Sequence, residues 1–154
     1  GQRTMTPRRM LLLLPAALPI AARAQRRETP LAEPRPSMDQ PRRIVVSLSE
    51  REPERAHAVF SNLINIQGFY GQDLVEILLV AYGPGVRHLI AAESQVAERV
   101  VSLQAYDVGF VACGATLDSL GLGPEALLPG VEVVQNGLPE IVERTLMGWV
   151  HLRP

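Results

Sequence analysis

The sequence contains no lysine and only one cysteine, and both absences restrict what this protein can do. A chain with a single thiol forms no internal disulfide and cannot alternate between dithiol and disulfide states. The histidines His57, His88 and His151 lie far apart, and none has metal-ligand spacing to Cys113, so we expect no metal site. Without lysine there is no Walker-type phosphate loop, and we expect neither nucleotide binding nor any other cofactor.

Charge is unevenly distributed along the chain, although the formal net charge is only −1. Residues 1–43 carry nine arginines against three acidic residues, whereas residues 44–154 carry six arginines against thirteen acidic residues. Binding to nucleic acid depends on basic side chains that neutralise phosphates. The acidic main part of the chain therefore argues against a nucleic-acid partner.

The N-terminal residues have the three parts of a secretory signal. Arg8 and Arg9 are the charged part, 10–22 is apolar, and Ala22-Arg23-Ala24 fits the small-x-small cleavage pattern. We therefore predict a signal peptide over residues 1–24 and export to the bacterial periplasm. The paired arginines leave both the Sec and the twin-arginine routes open. The apolar part is shorter than the roughly 20 residues of a membrane span, so we predict no span after cleavage.

Residues 25–41 are rich in proline and arginine and have no apolar period, which predicts a flexible linker. From residue 42 to residue 154, apolar runs alternate with helical patterns. The predicted strands are Ile44–Leu48, Leu74–Ala81, Val108–Ala112, Val131–Val134 and Trp149–Leu152. Strands that are apolar on both faces indicate a parallel sheet covered on both sides. The predicted fold is α/β, a three-layer α/β/α sandwich with a mostly parallel five-stranded sheet.

Helices are predicted between these strands, with their ends marked by capping residues and glycines. Ser49 is a candidate N-cap for the first helix, and Gly68–Gly71 closes that helix. The next segment, Tyr82-Gly83-Pro84-Gly85, is a predicted turn whose backbone N–H groups could also contact a small anion. Further helical segments are predicted at Val86–Ala91, Val96–Ala105, Thr116–Leu120, Pro124–Leu127 and Leu138–Met147.

The carboxyl ends of the strands are the expected location of any chemistry, because ligands collect there in such sheets. The segments at that edge are Ser47–Ser49, Tyr82–Gly85, Cys113–Thr116 and Gln135–Gly137. Cys113 lies at a strand-to-helix turn and faces the positive end of the helix dipole, which favours the thiolate. Free cysteine is also among the most buried residue types, so a purely structural Cys113 stays open as an alternative.

Two further patterns have weaker implications. Asn62 and Asn65 lie three residues apart on the first predicted helix, where they could line a polar pocket, contact a neighbouring subunit or be surface residues. The serines Ser47, Ser49 and Ser94 lack a G-x-S-x-G setting and an obvious triad, so we do not expect a hydrolase.

The folded part of the chain resembles the DsrE/DsrF-like family, which includes the small YchN-like proteins. The segments that carry the resemblance are RIVVSLSE, Asn62-x-x-Asn65, VEILLVAYGPGVRHL (Val75–Leu89), VGFVACGATL (Val108–Leu117), LLPGVEVV (Leu127–Val134) and GWVHLRP (Gly148–Pro154). The resemblance implies a five-stranded parallel sheet and assembly into homotrimers or hexamers. It also implies, for members that act in sulfur relay, a cysteine after the third strand that accepts a persulfide and passes it on.

The position of that cysteine matches Cys113, and Tyr82–Gly85 matches the turn that borders the site. The candidate site residues are Cys113 for the chemistry, and Gly114, Ala115, Thr116, Tyr82, Gly83, Gly85 and Asn62 for the pocket. Our leading hypothesis is an exported, homo-oligomeric persulfide carrier, at most sulfurtransferase-like, with a sulfur donor or acceptor protein as partner. The alternative is a non-enzymatic homo-oligomeric binding or structural protein with Cys113 in its core.

Overall fold

The computed structural model describes residues 1–4, 7, 9–16 and 25–154, and the chain forms two compact units, Gly1–Glu33 and Pro34–Pro154. The described residues of the first unit form no helix or strand, and the side chains of Met10–Leu14 are exposed. Arg8 and the predicted cleavage site Ala22-Arg23-Ala24 lie outside the described residues. No described helix is both long enough and apolar enough to cross a bilayer.

The second unit is built on a five-stranded sheet in which every pair of neighbouring strands is parallel, as the sequence predicts. The strand order is β4-β3-β2-β1-β5. The strands are β1 Arg42–Leu48, β2 Val75–Ala81, β3 Gly109–Cys113, β4 Glu132–Val134 and β5 Val150–Leu152. The α-helices are α1 Pro53–Tyr70, α2 Ala97–Ala105, α3 Gly114–Ser119 and α4 Gly137–Leu146, and 3₁₀ helices span Gln72–Leu74, Gly83–Leu89 and Pro124–Ala126.

The two faces of the sheet have separate cores, because the central strands are apolar on both sides. On one face α1, α2, α3 and the 3₁₀ helix Gly83–Leu89 pack on β1, β2 and β3, and the rings of Phe60 and Phe110 meet edge to face at 5.9 Å. On the other face Ile141 of α4 and Trp149 cover Val45, Leu78, Val80 and Val111. This is the predicted three-layer sandwich, and α4 is the helix of its second outer layer.

The first helix begins differently from the prediction. Its N-cap is Glu52 rather than Ser49, and Pro53 follows as the first helical residue. Proline is well suited to this position, because its fixed φ matches the helix and its missing N–H would have no partner there. The C-terminal end is as predicted, because Gly71 follows Tyr70 with a φ of 92°.

The compact unit also extends further toward the N-terminus than the predicted domain. It begins at Pro34, whose carbonyl oxygen accepts a 2.9 Å hydrogen bond from Arg42 Nη1. Ser37 and Gln40 are joined by a turn in which the Ser37 N–H donates to the Gln40 carbonyl at 3.1 Å. Residues 34–41 of the predicted linker therefore belong to this unit by their contacts.

The predicted turn after β2 is itself the start of a 3₁₀ helix, Gly83–Leu89. Gly85 is buried against the end of β1, where a Cβ would lie 2.2 Å from the carbonyl oxygen of Leu48 and 2.9 Å from the Cα of Ser49. No side chain fits in that space, so a glycine is required here. The close approach draws the turn onto the carboxyl edge of the sheet.

Candidate functional site

Cys113 is the last residue of β3 and the N-cap of α3, so strand and helix meet at the thiol. The junction depends on Gly114, because a Cβ at that position would lie 2.7 Å from the carbonyl oxygen of Val134 in the neighbouring strand β4. Glycine thus allows α3 to start directly beside the end of β4. Cys113 itself is buried, with 3% of its surface exposed.

Four hydrogen-bond donors act on the sulfur of Cys113. Burial is the largest single influence on the thiol and by itself would raise the pKa of Cys113. The Thr116 hydroxyl and the backbone N–H groups of Gly137, Thr116 and Ala115 act in the opposite direction, because each stabilises a negative sulfur. Together these donors outweigh burial, and the pKa of Cys113 lies below its ordinary value.

The Thr116 hydroxyl is oriented by the turn after β2. The backbone N–H of Gly83 donates to Thr116 Oγ1 at 3.0 Å, which occupies an acceptor site of that oxygen. A hydroxyl has one proton to donate, and that of Thr116 is the donor to the Cys113 sulfur. The turn therefore contributes to the site through Thr116.

A second helix also reaches the thiol, namely α4. A Cβ on its first residue, Gly137, would lie 3.1 Å from Tyr82 Cβ, 3.2 Å from Cys113 Cβ and 3.3 Å from Val80 Cγ1. Because Gly137 has no side chain, the N-terminus of α4 packs directly against β2 and β3. Its backbone N–H is thereby one of the donors to Cys113.

Asn136, the N-cap of α4 and an exposed residue, also contacts the sulfur. Its Oδ1 lies 3.8 Å from Cys113 Sγ, with the thiol as donor, and its side chain makes no capping hydrogen bond to the helix. The sequence pattern predicts Gln135–Gly137 at the carboxyl edge of the sheet, but it does not indicate a function for Asn136 or Gly137. Their position directly after a strand end, in an Asn-Gly pair, was the available signal.

The predicted pocket residues have different locations. Gly114, Ala115 and Thr116 adjoin the thiol, Tyr82 packs beside Gly137, and Gly83 acts through Thr116. Gly85 lies further away, against Leu48.

Asn62 lies apart from these residues. It is exposed on α1, about 13 Å along the helix from Pro53, and Asn65 is exposed on the same helix. Among the described contacts, none joins Asn62 to Cys113. Helical spacing predicts that the two asparagines share one side of α1, and both are exposed.

The histidines serve other parts of the domain. His88 is buried and its Nε2 lies 2.7 Å from the Glu50 carbonyl oxygen, while His57 Nδ1 lies 3.2 Å from Arg99 Nη1. His151 Nε2 lies 3.1 Å from Ser47 Oγ, a pair that the sequence did not indicate. Ser47 is only 3% exposed, so the pair offers no accessible nucleophile. Within the described ranges, no group of three or more His, Cys, Asp or Glu side chains is placed to hold a metal ion.

Comparison with known sequences identifies one family. The sequence profile described as the DsrE/DsrF-like family matches residues 44–154, which is most of the chain and includes every candidate site residue. No protein of curated function matches significantly.

Comparison with solved structures shows the same fold in other proteins. The protein of unknown function MTH1491 from Methanobacterium thermoautotrophicum is 34% identical, with a TM-score of 0.70 over 73% of this chain and 99% of that chain. The ychN protein from E. coli is 17% identical, with a TM-score of 0.61 over 74% of this chain and 99% of that chain. BT1422 from Bacteroides thetaiotaomicron is 16% identical, with a TM-score of 0.57 over 73% of this chain and 94% of that chain.

Proposed function

Since the chain belongs to the DsrE/DsrF-like family, we propose that it carries sulfur as a persulfide on Cys113. The observation that carries the proposal is the set of four donors around the sulfur, the Thr116 hydroxyl and the N–H groups of Ala115, Thr116 and Gly137. A buried structural cysteine needs no such donors, whereas a sulfur that becomes anionic does.

The proposed step needs no oxidant or reductant beyond the sulfur donor. The Cys113 thiolate attacks the outer sulfur of a donor persulfide, R–S–SH. A new sulfur–sulfur bond forms on Cys113, the donor's sulfur–sulfur bond breaks, and its electron pair leaves with the thiolate R–S⁻. Attack of an acceptor thiolate on the outer sulfur of the Cys113 persulfide reverses the sequence. The protein is then a sulfurtransferase-like carrier whose partners are a sulfur donor and a sulfur acceptor.

The helix N-termini supply the electrostatic part of this step. The N-termini of α3 and α4 both point at the sulfur, and helix dipoles favour negative charge at that end. The donors are backbone groups and one oriented hydroxyl, so they need little rearrangement as charge develops. Tyr82 and Gly83 border the site from the turn after β2.

The experiment is intact-mass measurement of the full chain after incubation with a low-molecular-weight alkyl persulfide. We expect a gain of one sulfur atom that a dithiol reductant removes. Cys113→Ser, which keeps a small polar side chain, is the matched control and gains nothing. Because the chain has no other cysteine, sulfur loading that survives this substitution would contradict the proposal.

A second candidate is favoured by the burial of Cys113. At 3% exposure the thiol has the accessibility of a core residue, as in a non-enzymatic binding or structural protein. This candidate predicts that iodoacetamide modifies Cys113 only after unfolding. Alkylation of the native chain at a rate that follows the thiolate fraction would exclude it.

We also propose that the protein is exported and assembles with copies of itself, as a trimer or hexamer. Export rests on the charged, apolar and cleavage-site pattern of residues 8–24.

Assembly is supported by an apolar stripe on α4, formed by Leu138, Val142 and Leu146, which are 54%, 53% and 76% exposed. Side chains with this spacing share one face of a helix, and such a stripe favours burial against a neighbouring subunit.

A further inference from the structure

The hydrogen bonds around Cys113 divide into two kinds. In the first kind, Thr116, Ala115 and Gly137 donate hydrogen bonds to the sulfur, and these bonds favour the thiolate. The bond to Asn136 runs the other way, because Oδ1 is an acceptor and needs the S–H proton. A thiolate has no proton to offer, so the Asn136 bond exists only while Cys113 is neutral.

The oxygen of the Asn136 amide, rather than its nitrogen, faces the thiol. The sulfur accepts hydrogen bonds from α3 and α4, and the amide oxygen accepts the proton of the thiol. Asn136 is exposed, so its Nδ2 remains hydrated in this orientation. Its position over a thiol that is 3% exposed makes the side chain part of the cover that excludes solvent from the sulfur.

We propose that Asn136 is a positioning residue that keeps resting Cys113 protonated and covered, and that an arriving sulfur donor releases the thiolate by displacing the Asn136 side chain. This inference rests on the proposed carrier function and adds its regulation. Once the acceptor is displaced, burial alone opposes the donors of α3 and α4, which outweigh it. Ionisation of Cys113 is thereby coupled to the arrival of the donor.

Keeping Cys113 protonated would protect the thiol of an exported carrier from oxidation. The thiolate is the form that oxidants attack, and its oxidation beyond the sulfenic acid is hard to reverse. A single cysteine has no partner in its own chain that could rescue it as a disulfide. Holding the resting thiol neutral therefore slows its oxidation without removing the donors that the reaction needs.

The test measures the alkylation of Cys113 by iodoacetamide across a range of pH in the full chain. Asn136→Ala removes the acceptor, and because Asn136 makes no capping hydrogen bond, α4 keeps its cap contacts. We expect a lower pKa for Cys113 and alkylation about threefold faster at neutral pH. Asn136→Asp puts a charged acceptor at the same place, and its carboxylate both holds the S–H proton and repels the thiolate. We expect a higher pKa and alkylation about tenfold slower.

The opposite directions of the two variants separate this effect from a merely loosened helix, which would speed alkylation in both. Gln135→Ala, an exposed neighbour, is the control and should match the unaltered chain. Of the side chains that border the thiol after β2, in α3 and before α4, namely Tyr82, Thr116 and Asn136, only Tyr82 is titratable. Tyr82→Phe therefore checks that the measured pH profile belongs to Cys113.

An unchanged pKa in Asn136→Ala would overturn the inference, because the amide would then have no effect on ionisation. A raised pKa would also overturn it, because the amide would then stabilise the thiolate. The experiment uses no sulfur donor, so its result is independent of the proposed function. Opposite shifts in the two variants without sulfur loading would support the function of Asn136 as a cover and contradict the carrier. Sulfur loading with no shift in either variant would leave the carrier standing and overturn the inference.

Discussion

The backbone N–H of Gly83 donates to Thr116 Oγ1 across 3.0 Å, and this bond joins the turn after β2 to the helix after β3. The bond also affects a third residue, Cys113, because it leaves the hydroxyl proton of Thr116 directed at the sulfur. Through Thr116, Gly83 thus helps to set the chemistry of the thiol.

Thr116→Val is expected to raise the pKa of Cys113, because the isosteric side chain has no proton for the sulfur. Hydrogen bonds to charged groups are worth more than neutral ones, so alkylation at neutral pH should slow about tenfold. Thr116→Ser keeps the hydroxyl and should restore most of the rate. The measurement is the iodoacetamide rate against pH, and equal rates for valine and serine would contradict the assigned bond.

Stability should depend on pH through the same thiol. The pKa of Cys113 in the folded chain lies below its ordinary value of 9.0, so between the two values the unfolded chain binds more protons. The stabilising contribution is therefore fully present above pH 9.0 and is lost as the pH falls through the folded pKa.

We compare the free energy of unfolding of the unaltered chain with that of Cys113→Ser. We expect the difference in favour of the unaltered chain to increase as the pH rises from neutral toward 9.0. Urea denaturation followed by fluorescence measures this, because Trp149 is the single tryptophan and is buried. A difference that is constant or shrinks over this interval would mean that the folded state does not favour the thiolate.

Gly137→Ala should destabilise the domain, because the new Cβ would approach Tyr82 Cβ, Cys113 Cβ and Val80 Cγ1 within 3.1 to 3.3 Å. Overpacking of this kind costs about 1–3 kcal/mol. The matched control is Gly68→Ala in α1, where nothing lies within 4 Å of the new Cβ. Helix propensity there predicts a gain of roughly 0.5–1 kcal/mol. Equal shifts in urea denaturation for the two variants would mean that α4 does not pack as closely as the geometry requires.

Val142→Glu should weaken self-association, because it places a charge in the middle of the exposed apolar stripe of α4. The control is Val101→Glu on α2, since Val101 is also 53% exposed but lies on the other face of the sheet. Light scattering coupled to size-exclusion chromatography gives the mass in solution. We expect a smaller species for Val142→Glu alone. An unchanged mass for both would contradict assembly through α4.

Much of the fold could be predicted because its signals are local. The apolar runs at β1, β2 and β3 and the glycines that end helices each act within a few residues, and the structure confirms their type and nearly their bounds. The start of α1 was misplaced because two signals competed. Ser49 has the capping side chain, but Pro53 has the backbone geometry, and the helix begins there.

The site could be predicted only in part. The position of Cys113 at the carboxyl edge follows from the strand that precedes it. Asn62 is exposed on α1, with no described contact to Cys113, because helical periodicity says which residues share a face but not what that face contacts. Asn136 was overlooked because it is 23 residues away along the chain and reaches the sulfur only through the pairing of β3 with β4.

What the sequence determined by itself is therefore the set of elements, the parallel character of the sheet and the place of its one thiol at a strand end. These follow from local periodicity and from the conformational limits of glycine and proline. Tertiary structure alone decided the order β4-β3-β2-β1-β5, which brings the N-terminus of α4 and the turn at Gly83 to Cys113. The burial of the thiol, its donors and its single acceptor depend on contacts between distant segments, and those exist only once the strands have paired.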